Sequence, residues 1–433
     1  MTNGSSDEED EPLVTKDQFG NYQDFNRKTN PNIHSVYVLN SNRDYKGRVW
    51  PMSQFEKVDV LECALTGRNK YFNVEPSTDF SYDSDELRLP LEIMIYIFEI
   101  MYSNGYLRAK HLRISKLFYA IVLPMIYRKP KLKATNFFSF VETIANNKTI
   151  GDNIQQLDLS YIIQTGKNAY VSKLLKRSKK NLQLFVAPQT SFGFTPLFAL
   201  RNCTKLKVLD LRLVSETLNL EDLFQSIKSL TELTHLSFPR SSVSITDYDS
   251  VSWPPKLSFL RISGGISDEF LRKSNFPSTI TQLEFAHCPN IKDFGLRNVL
   301  LKVGNNLKSL KVQYPMPGLS GSALDVLFRY CPNIVTLEVT VDYMSQAFFD
   351  ESNLPHIFPG RKLKSLYIDS SGMLGTASKI DSIDLALALN EGRLPNLKNL
   401  RCTVKLGWDT KSEYVNYIVE ELEEREGGLY VGY

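Results

Sequence analysis

One apolar pattern returns ten times in this chain of 433 residues, between Ile154 and Cys402. Each copy reads apolar, two variable residues, apolar, one variable residue, apolar, and successive copies begin 23 to 34 residues apart. The alternation at the end of each copy is typical of a short strand whose every second side chain points into a core. No single copy can bury its own apolar side chains, so the pattern predicts a stack of repeats that bury one another. The copies begin at Ile154, Leu182, Leu206, Leu233, Leu257, Ile280, Leu307, Ile334, Leu363 and Leu397.

The spacing of the copies is close to the period of leucine-rich repeats, roughly 20–29 residues. Amphipathic stretches such as residues 220–230 and 295–307 lie between the predicted strands and fit helices on the opposite side of the array. Because a helix is wider than a strand, the stack is expected to curve. We therefore predict an α/β fold with a curved leucine-rich-repeat solenoid of about ten repeats over residues 151–412.

The segment LRLPLEIMIYIF, residues 87–98, has almost no polar side. A surface helix usually carries a single apolar stripe, whereas the side chains from Ile93 to Phe98 would cover most of a helical circumference. The run is too short to cross a bilayer, which needs about 20 apolar residues. We expect it to leave an apolar face that a partner must cover.

Three stretches resemble the motif of F-box proteins: Leu-Pro-Leu-Glu-Ile with a following Ile-Phe in residues 89–98, Ile-Ser-Lys-Leu-Phe-Tyr in residues 114–119, and Leu-Pro-x-x-Tyr-Arg in residues 123–128. Residues 280–312 resemble the cysteine-containing leucine-rich repeats of the same family, with Cys288 placed shortly after the strand. The chain is thus identified as a member of the fungal F-box/leucine-rich-repeat family. The resemblance implies an N-terminal three-helix F-box at residues 86–132, followed by the repeats.

The resemblance also implies a partner, since an F-box binds a Skp-type adaptor and, through it, a cullin/RING ubiquitin ligase. Pro90 is predicted at the first helical position, residues 107–122 form a second helical stretch, and Pro124 is expected to interrupt it. The alternative is that residues 89–132 serve only as a helical cap of the first repeat. The adaptor contacts that the resemblance implies are Leu89, Pro90, Ile93, Ile97, Phe98, Ile114, Ser115, Lys116, Phe118 and Pro124.

The second predicted binding surface is the inner face of the solenoid, formed by the strand residues that lie between the apolar positions. Their charges alternate in sign along the array, whereas a groove that follows nucleic acid would be uniformly basic. The inner face is therefore predicted to bind a protein substrate of unknown identity. Because aromatic and arginine side chains tend to dominate interface energies, the predicted substrate contacts are Phe259, Arg261, Glu284, Lys311 and Tyr367.

These inferences lead to one functional hypothesis and two alternatives. The hypothesis is a substrate-recognition subunit of an SCF-type E3 ubiquitin ligase, with no catalytic residues of its own. The alternatives are an adaptor-binding regulator that acts outside the ligase, and a non-ligase repeat scaffold such as a GTPase regulator. No metal site or cofactor is expected, because the five cysteines and five histidines are not clustered at ligand spacing.

Charge and hydropathy narrow the remaining classes of function. The 51 basic and 48 acidic residues give a net charge of +3, which offers no general reason to expect a nucleic-acid or membrane partner. The sequence has no transmembrane segment and no secretory signal, and it predicts an intracellular protein of the cytoplasm, the nucleus or both. The basic run at residues 170–181 is interpreted as a solvated helix face, with a nuclear-import signal as the alternative.

The rest of the chain divides by composition. Residues 1–30 are predicted to be a disordered acidic N-terminus, residues 31–85 have no assignment, and residues 133–150 form a linker helix. Residues 413–433 are predicted to form a C-terminal helix and an aromatic tail. This tail either seals the open edge of the last repeat or folds back along the inner face.

Overall fold

The structure is a computed structural model that describes residues 15–16, 22–23, 36–39, 89–163, 166–243, 245, 251–376 and 379–432. Most of the predicted disordered N-terminus and of the unassigned segment lies outside the described residues. The chain divides into two compact units. The first unit contains the F-box and the repeats up to Ser320, and the second contains the repeats from Gly321 onward together with the described residues before the F-box. The described residues before the F-box form three short strands: β1 (Thr15–Lys16) pairs with β2 (Tyr22–Gln23), and β3 (Val36–Leu39) belongs to the sheet of the C-terminal repeats.

The F-box consists of helix α1 (Leu91–Ser103), a 3-10 helix (Ala109–Arg113) and helix α2 (Lys116–Arg128). Pro90 caps the start of α1 and so lies one position earlier than predicted. The second stretch is divided at Ser115, whose side chain accepts a hydrogen bond from the Phe118 N–H over 3.1 Å. This cap satisfies a free N–H of the first turn and begins α2 there.

The predicted interruption at Pro124 is wrong, because α2 continues through this residue to Arg128. A proline inside a helix lacks the N–H donor and costs about 3 kcal/mol. Its neighbours Val122 and Met125 are completely buried. Burying each of these side chains contributes about 1.5–3 kcal/mol, which offsets the cost and keeps the helix intact.

Two helices connect the F-box to the first repeat, α3 (Phe137–Asn146) and α4 (Lys148–Gly151). The connection is close, since the Gln155 N–H donates to the Arg128 carbonyl at the end of α2 over 3.0 Å. The F-box and the first repeats therefore belong to the same unit.

The first unit contains seven parallel strands in sequence order. The pairs are in register, so that Leu209, Leu236 and Leu260 are aligned on neighbouring strands. A separate parallel pair, β7 (Leu218–Asn219) and β9 (Ser242–Val243), lies beside them. The seven strands are β4 (Gln156–Asp158), β5 (Leu184–Val186), β6 (Val208–Asp210), β8 (His235–Ser237), β10 (Phe259–Ile262), β11 (Gln282–Phe285) and β12 (Ser309–Val312). The helices between them are α5 (Asn168–Ser178), α6 (Phe194–Leu200), α7 (Leu220–Ile227), α8 (Asp268–Lys273) and α9 (Asp293–Val303).

The second unit contains β13 (Thr336–Thr340), β14 (Ser365–Asp369) and β15 (Asn399–Thr403), also parallel and in register. Its helices are α10 (Leu327–Tyr330), α11 (Ser382–Asn390) and α12 (Glu413–Glu424). The C-terminal tail forms β16 (Gly428–Gly432), which pairs parallel with β15 and antiparallel with β3. The tail thus extends the sheet by one strand, which is the arrangement of the sealing alternative.

The ten predicted repeats are confirmed, since a strand occupies each of the ten copies of the motif. The three apolar positions of every copy are at most 3% exposed. The fold is therefore an α/β protein, with an N-terminal F-box followed by a parallel-sheet solenoid of leucine-rich repeats.

Candidate functional site

Helix α1 carries apolar side chains on two faces, and the first face builds the F-box core. Phe98 meets the ring of Phe118 edge to face, with 4.8 Å between the ring centroids. Partly buried side chains such as Ile95 and Leu117 pack around this centre. The buried core consists of Met94, Phe98, Ile121, Val122 and Met125.

The second face of α1 is open to solvent. Four of its large side chains lie at the helical positions i, i+3, i+4 and i+7, and a fifth precedes the helix. Each of the five is between 41% and 58% exposed. We call this set the exposed F-box stripe, and it consists of Leu89, Ile93, Tyr96, Ile97 and Ile100.

Most of the predicted adaptor contacts are accessible. Leu89, Pro90, Ile93 and Ile97 are exposed along α1, and Ile114 is 58% exposed before α2. Two further predicted residues, Ser115 and Lys116, are also exposed at the start of α2. The Ser115 hydroxyl already accepts the capping hydrogen bond, so its acceptor is partly engaged before any partner binds.

Phe98 is the correction to this set, because its side chain is only 5% exposed and lies in the F-box core. Phe98 directly follows Ile97, and successive residues of a helix are rotated by about 100° about the helix axis, so the two side chains lie on different faces. Phe118 and Pro124 are half-buried, and Phe118 packs on Phe98. Direct contact with an adaptor is therefore excluded for Phe98 in this arrangement and restricted for the other two.

Three exposed side chains near these positions are not among the predicted contacts: Tyr96, Ile100 and Tyr119. The signal was present in the spacing, because Tyr96 and Ile100 follow Ile93 at the positions i+3 and i+7 of one helical face. The predicted contacts follow the family motif, which includes neither Tyr96 nor Ile100.

An ion pair fixes the two long F-box helices against each other. Arg128 of α2 donates to both carboxylate oxygens of Glu99 of α1, over 2.5 and 3.3 Å. The same guanidinium lies 5.5 Å from the centre of the Tyr102 ring. Burial raises the pKa of Tyr102 and outweighs the nearby Arg128 charge, which acts in the opposite direction. A two-pronged pair of this kind is geometrically specific, so the angle between the helices is fixed before a partner arrives.

The inner face of the first unit holds four of the five predicted substrate contacts, and it buries three of them. Phe259, Arg261 and Glu284 are 5%, 9% and 8% exposed. Arg261 and Glu284 are aligned on β10 and β11 and form an ion pair with each other. Phe259 stacks on the ring of His235, with 5.6 Å between centroids. These three residues contact their own neighbours and are largely covered, so they are not available to a substrate in this arrangement.

The other two predicted contacts, Lys311 and Tyr367, are half-buried. The ammonium of Lys311 lies 3.2 Å from the side-chain amide of Gln313. Tyr367 lies between Glu338 and Arg401 on the neighbouring strands, and burial raises the pKa of its hydroxyl. Substrate contact at Lys311 and Tyr367 stays a prediction.

The thiols and imidazoles of the described repeats are structural in character. Burial raises the pKa of Cys203, Cys288, Cys331 and Cys402 to about 12, so each thiol is protonated at neutral pH. Burial lowers the pKa of His235 to about 4. Among the described residues, no group of three or more His, Cys, Asp or Glu side chains is placed to hold a metal ion. None of the described helices has the length and hydropathy of a membrane span.

Comparisons with known proteins place the chain among F-box proteins. Residues 87–165 match the family model of the COS11 F-box domain. The F-box protein YDR306C of Saccharomyces cerevisiae is 47% identical over 326 residues, which cover 75% of this chain and 68% of that protein. Protein pof5 of Schizosaccharomyces pombe is 36% identical over 347 residues, which cover 79% of this chain and 98% of that protein. Among solved structures, the Rad7 and Elc1 complex of yeast matches at 15% identity with a TM-score of 0.46, over 75% of this chain and 86% of that one.

The chain therefore belongs to the family of F-box proteins. Within that family it is an F-box protein with leucine-rich repeats, since the ten repeat strands follow the F-box in the chain.

Proposed function

We propose that this chain is the substrate-recognition subunit of an SCF-type E3 ubiquitin ligase. Its F-box binds a Skp-type adaptor carried by a cullin/RING scaffold, and its repeats bind a protein substrate. The role is non-catalytic and belongs to the interior of the cell, in the cytoplasm, the nucleus or both. The membership in the F-box family, the COS11 F-box match and the open face of α1 support this proposal.

The exposed F-box stripe is the observation that carries the proposal. Five large apolar side chains lie on one side of α1, while the core side of the same helix is already complete. Monomeric proteins rarely leave a contiguous apolar patch uncovered, and such patches mark binding sites. A helical cap of the first repeat would need no such face.

The adaptor contact comprises the exposed F-box stripe together with the start of α2. The apolar residues of the stripe provide the buried centre of the interface, whose composition resembles that of stable interfaces. Polar side chains at Ser115 and Lys116 lie at its edge, where they stay partly hydrated. The Glu99–Arg128 pair holds this surface in one geometry, which lowers the entropic cost of binding.

The function of the bound complex is positional. A substrate held on the repeats has its lysines near a ubiquitin carrier on the same scaffold. Such tethering raises the effective concentration into the millimolar range for short connections. No nucleophile or zinc centre in this chain is required for that effect.

The test is a pull-down of the adaptor with Ile93→Asp combined with Ile97→Asp. Two carboxylates in the apolar interface lose their hydration without gaining partners, at a cost of several kcal/mol. We expect adaptor capture to fall below detection while the chain stays folded, because both positions are exposed in the chain alone.

The matched control is Leu301→Asp, an exposed apolar residue of helix α9 outside the F-box. It is expected to retain the adaptor. Full retention by the double variant would refute F-box docking and favour a repeat scaffold. Capture of the adaptor without the cullin would refute the ligase role and favour a regulator outside the ligase.

A further inference from the structure

A second exposed apolar surface lies on the helices that directly follow the F-box. Its aromatic side chains come from α3, α5 and α6, and they are between 37% and 62% exposed. Two exposed lysines of α5 follow Tyr170, and each is rotated by about 60° from the residue three positions before it. We call this set the aromatic–lysine surface, and it consists of Phe138, Tyr170, Lys173, Lys176, Phe194 and Phe198.

Ring contacts and one hydrogen bond connect the helices that carry this surface. The rings of Phe138 and Tyr170 meet edge to face, with 5.2 Å between centroids. The Gly193 N–H donates to the Asn168 side chain over 3.0 Å, which places the start of α6 against the start of α5. Phe194 and Phe198 then stack one turn apart, with 6.1 Å between centroids.

The chain segment that carries the surface is strongly basic. Residues 101–207 contain 18 Lys and Arg against three Asp and Glu, although the whole chain has 51 against 48. Within the part of the chain that the structure describes, Lys173 and Lys176 form no ion pair and no side-chain hydrogen bond. Their positive charge is therefore available to an acidic partner.

The arrangement of the rings favours a polypeptide over a nucleic acid. Base stacking needs open ring faces. The Lys167 ammonium lies 3.3 Å from the centre of the Phe138 ring, and the Arg201 guanidinium lies 4.9 Å from that of Phe198. With Phe194 stacked on Phe198 as well, the rings offer edges and apolar sides to aliphatic or aromatic side chains.

The inner face of the same unit, in contrast, buries Phe259, Arg261 and Glu284. The helices beside the F-box present accessible apolar and charged groups. We propose that the aromatic–lysine surface is the substrate-docking site, and that it binds an acidic peptide segment bearing apolar side chains. This inference rests on the proposed role as a substrate receptor. Carboxylates of the peptide pair with Lys173 and Lys176, and its apolar side chains pack on Phe194 and Phe198.

The experiment measures binding of fluorescent probes to the full chain by anisotropy. The probes are a random copolymer of glutamate and tyrosine, polyglutamate, and an oligothymidylate of matched charge. The variants are Lys173→Glu with Lys176→Glu, and Phe194→Ser with Phe198→Ser. The matched controls on or beside α9 are Lys292→Glu with Lys308→Glu, and Phe294→Ser with Leu301→Ser, all at exposed positions.

We expect the glutamate–tyrosine copolymer to bind, and each of the two variants to weaken that binding at least tenfold while the controls stay within twofold. Polyglutamate is expected to bind more weakly and to respond to the lysine variant alone. Unchanged copolymer binding in the lysine variant would overturn the proposal, and so would oligothymidylate that competes at equal affinity.

Adaptor capture, measured on the same variants, separates this inference from the proposed function. Both variants are expected to retain the adaptor, and Ile97→Asp is expected to retain the copolymer. Loss of the adaptor in the lysine variant would show that the basic helix belongs to the adaptor interface, and it would overturn the docking proposal without touching the F-box assignment.

Discussion

Two neighbouring residues of helix α1 are expected to respond to the same substitution in opposite ways. Ile97 is 41% exposed, whereas Phe98 is 5% exposed in the F-box core. Replacing each by alanine separates the binding face of the helix from its structural face. Neither substitution introduces a charge, and both place the same residue, alanine, in the helix.

The expected magnitudes follow from burial. Full burial of an isoleucine side chain contributes about 1.5–3 kcal/mol, so an adaptor that covers the exposed 41% of Ile97 gains about 1 kcal/mol there. Ile97→Ala should therefore weaken adaptor binding about fivefold and lower the melting temperature by less than Phe98→Ala does. Phe98→Ala removes a buried ring at a cost of about 3–5 kcal/mol, which corresponds to a fall of at least about 6 °C in melting temperature.

The assay combines thermal unfolding by circular dichroism with titration calorimetry against the adaptor. Titrations are run at a temperature where both variants are folded. The reasoning is refuted if Ile97→Ala lowers the melting temperature as much as Phe98→Ala does. An adaptor affinity that is unchanged by Ile97→Ala would equally show that this side of α1 is not the interface.

Three further predictions concern the repeats. Burial lowers the pKa of His235 from 6.5 to about 4, so the unfolded chain binds this proton at a higher pH than the folded chain does. The contribution of His235 to stability is therefore complete above pH 6.5 and is lost as the pH falls to about 4. Urea unfolding curves measured across this pH range should show this loss of stability, and those of His235→Gln should lack it. Burial raises the pKa of Cys203, Cys288, Cys331 and Cys402 to about 12, so iodoacetamide at pH 8 should label these thiols only after denaturation, and mass spectrometry of the native protein would contradict this by finding rapid labelling. A Cβ at Gly427 would overlap the Lys398 carbonyl, so Gly427→Ala should accelerate amide hydrogen exchange in β16, and unchanged exchange there would contradict the tight approach of the tail to the last repeat.

The repeats were predictable because their signal is local and periodic. Leu206, Leu209 and Leu211 illustrate this, since each is fully buried at the position that the motif assigned to it. Ten such triplets specify ten strands without any knowledge of what surrounds them. The strand formed by the tail was not predicted as such, because the pairing of β16 with β15 and β3 depends on partners distant in sequence. A two-residue glycine break and a short aromatic run fit several arrangements equally well.

The α2 helix shows a different limit of sequence reasoning. Pro124 is a strong helix-breaking signal when only neighbouring residues are considered. The outcome was decided by Val122 and Met125, which are completely buried in a core shared with α1. Packing with a second helix thus overrode the local preference, and the family motif gave no indication of it.

The binding surfaces show why a surplus of apolar residues can be predicted more easily than its location. The sequence of α1 contains more apolar side chains than one core can bury, and this surplus is present as the exposed F-box stripe. The side on which Phe98 lies depends on the rotation of α1 relative to α2, which the Glu99–Arg128 pair helps to fix. On the inner face, Arg261 and Glu284 are predicted as separate contacts, although only arginine is a residue type that tends to dominate interface energies. Their alignment on neighbouring strands turns them into partners of each other, so the register of the sheet, and not the residue types, decides which charges remain available for binding.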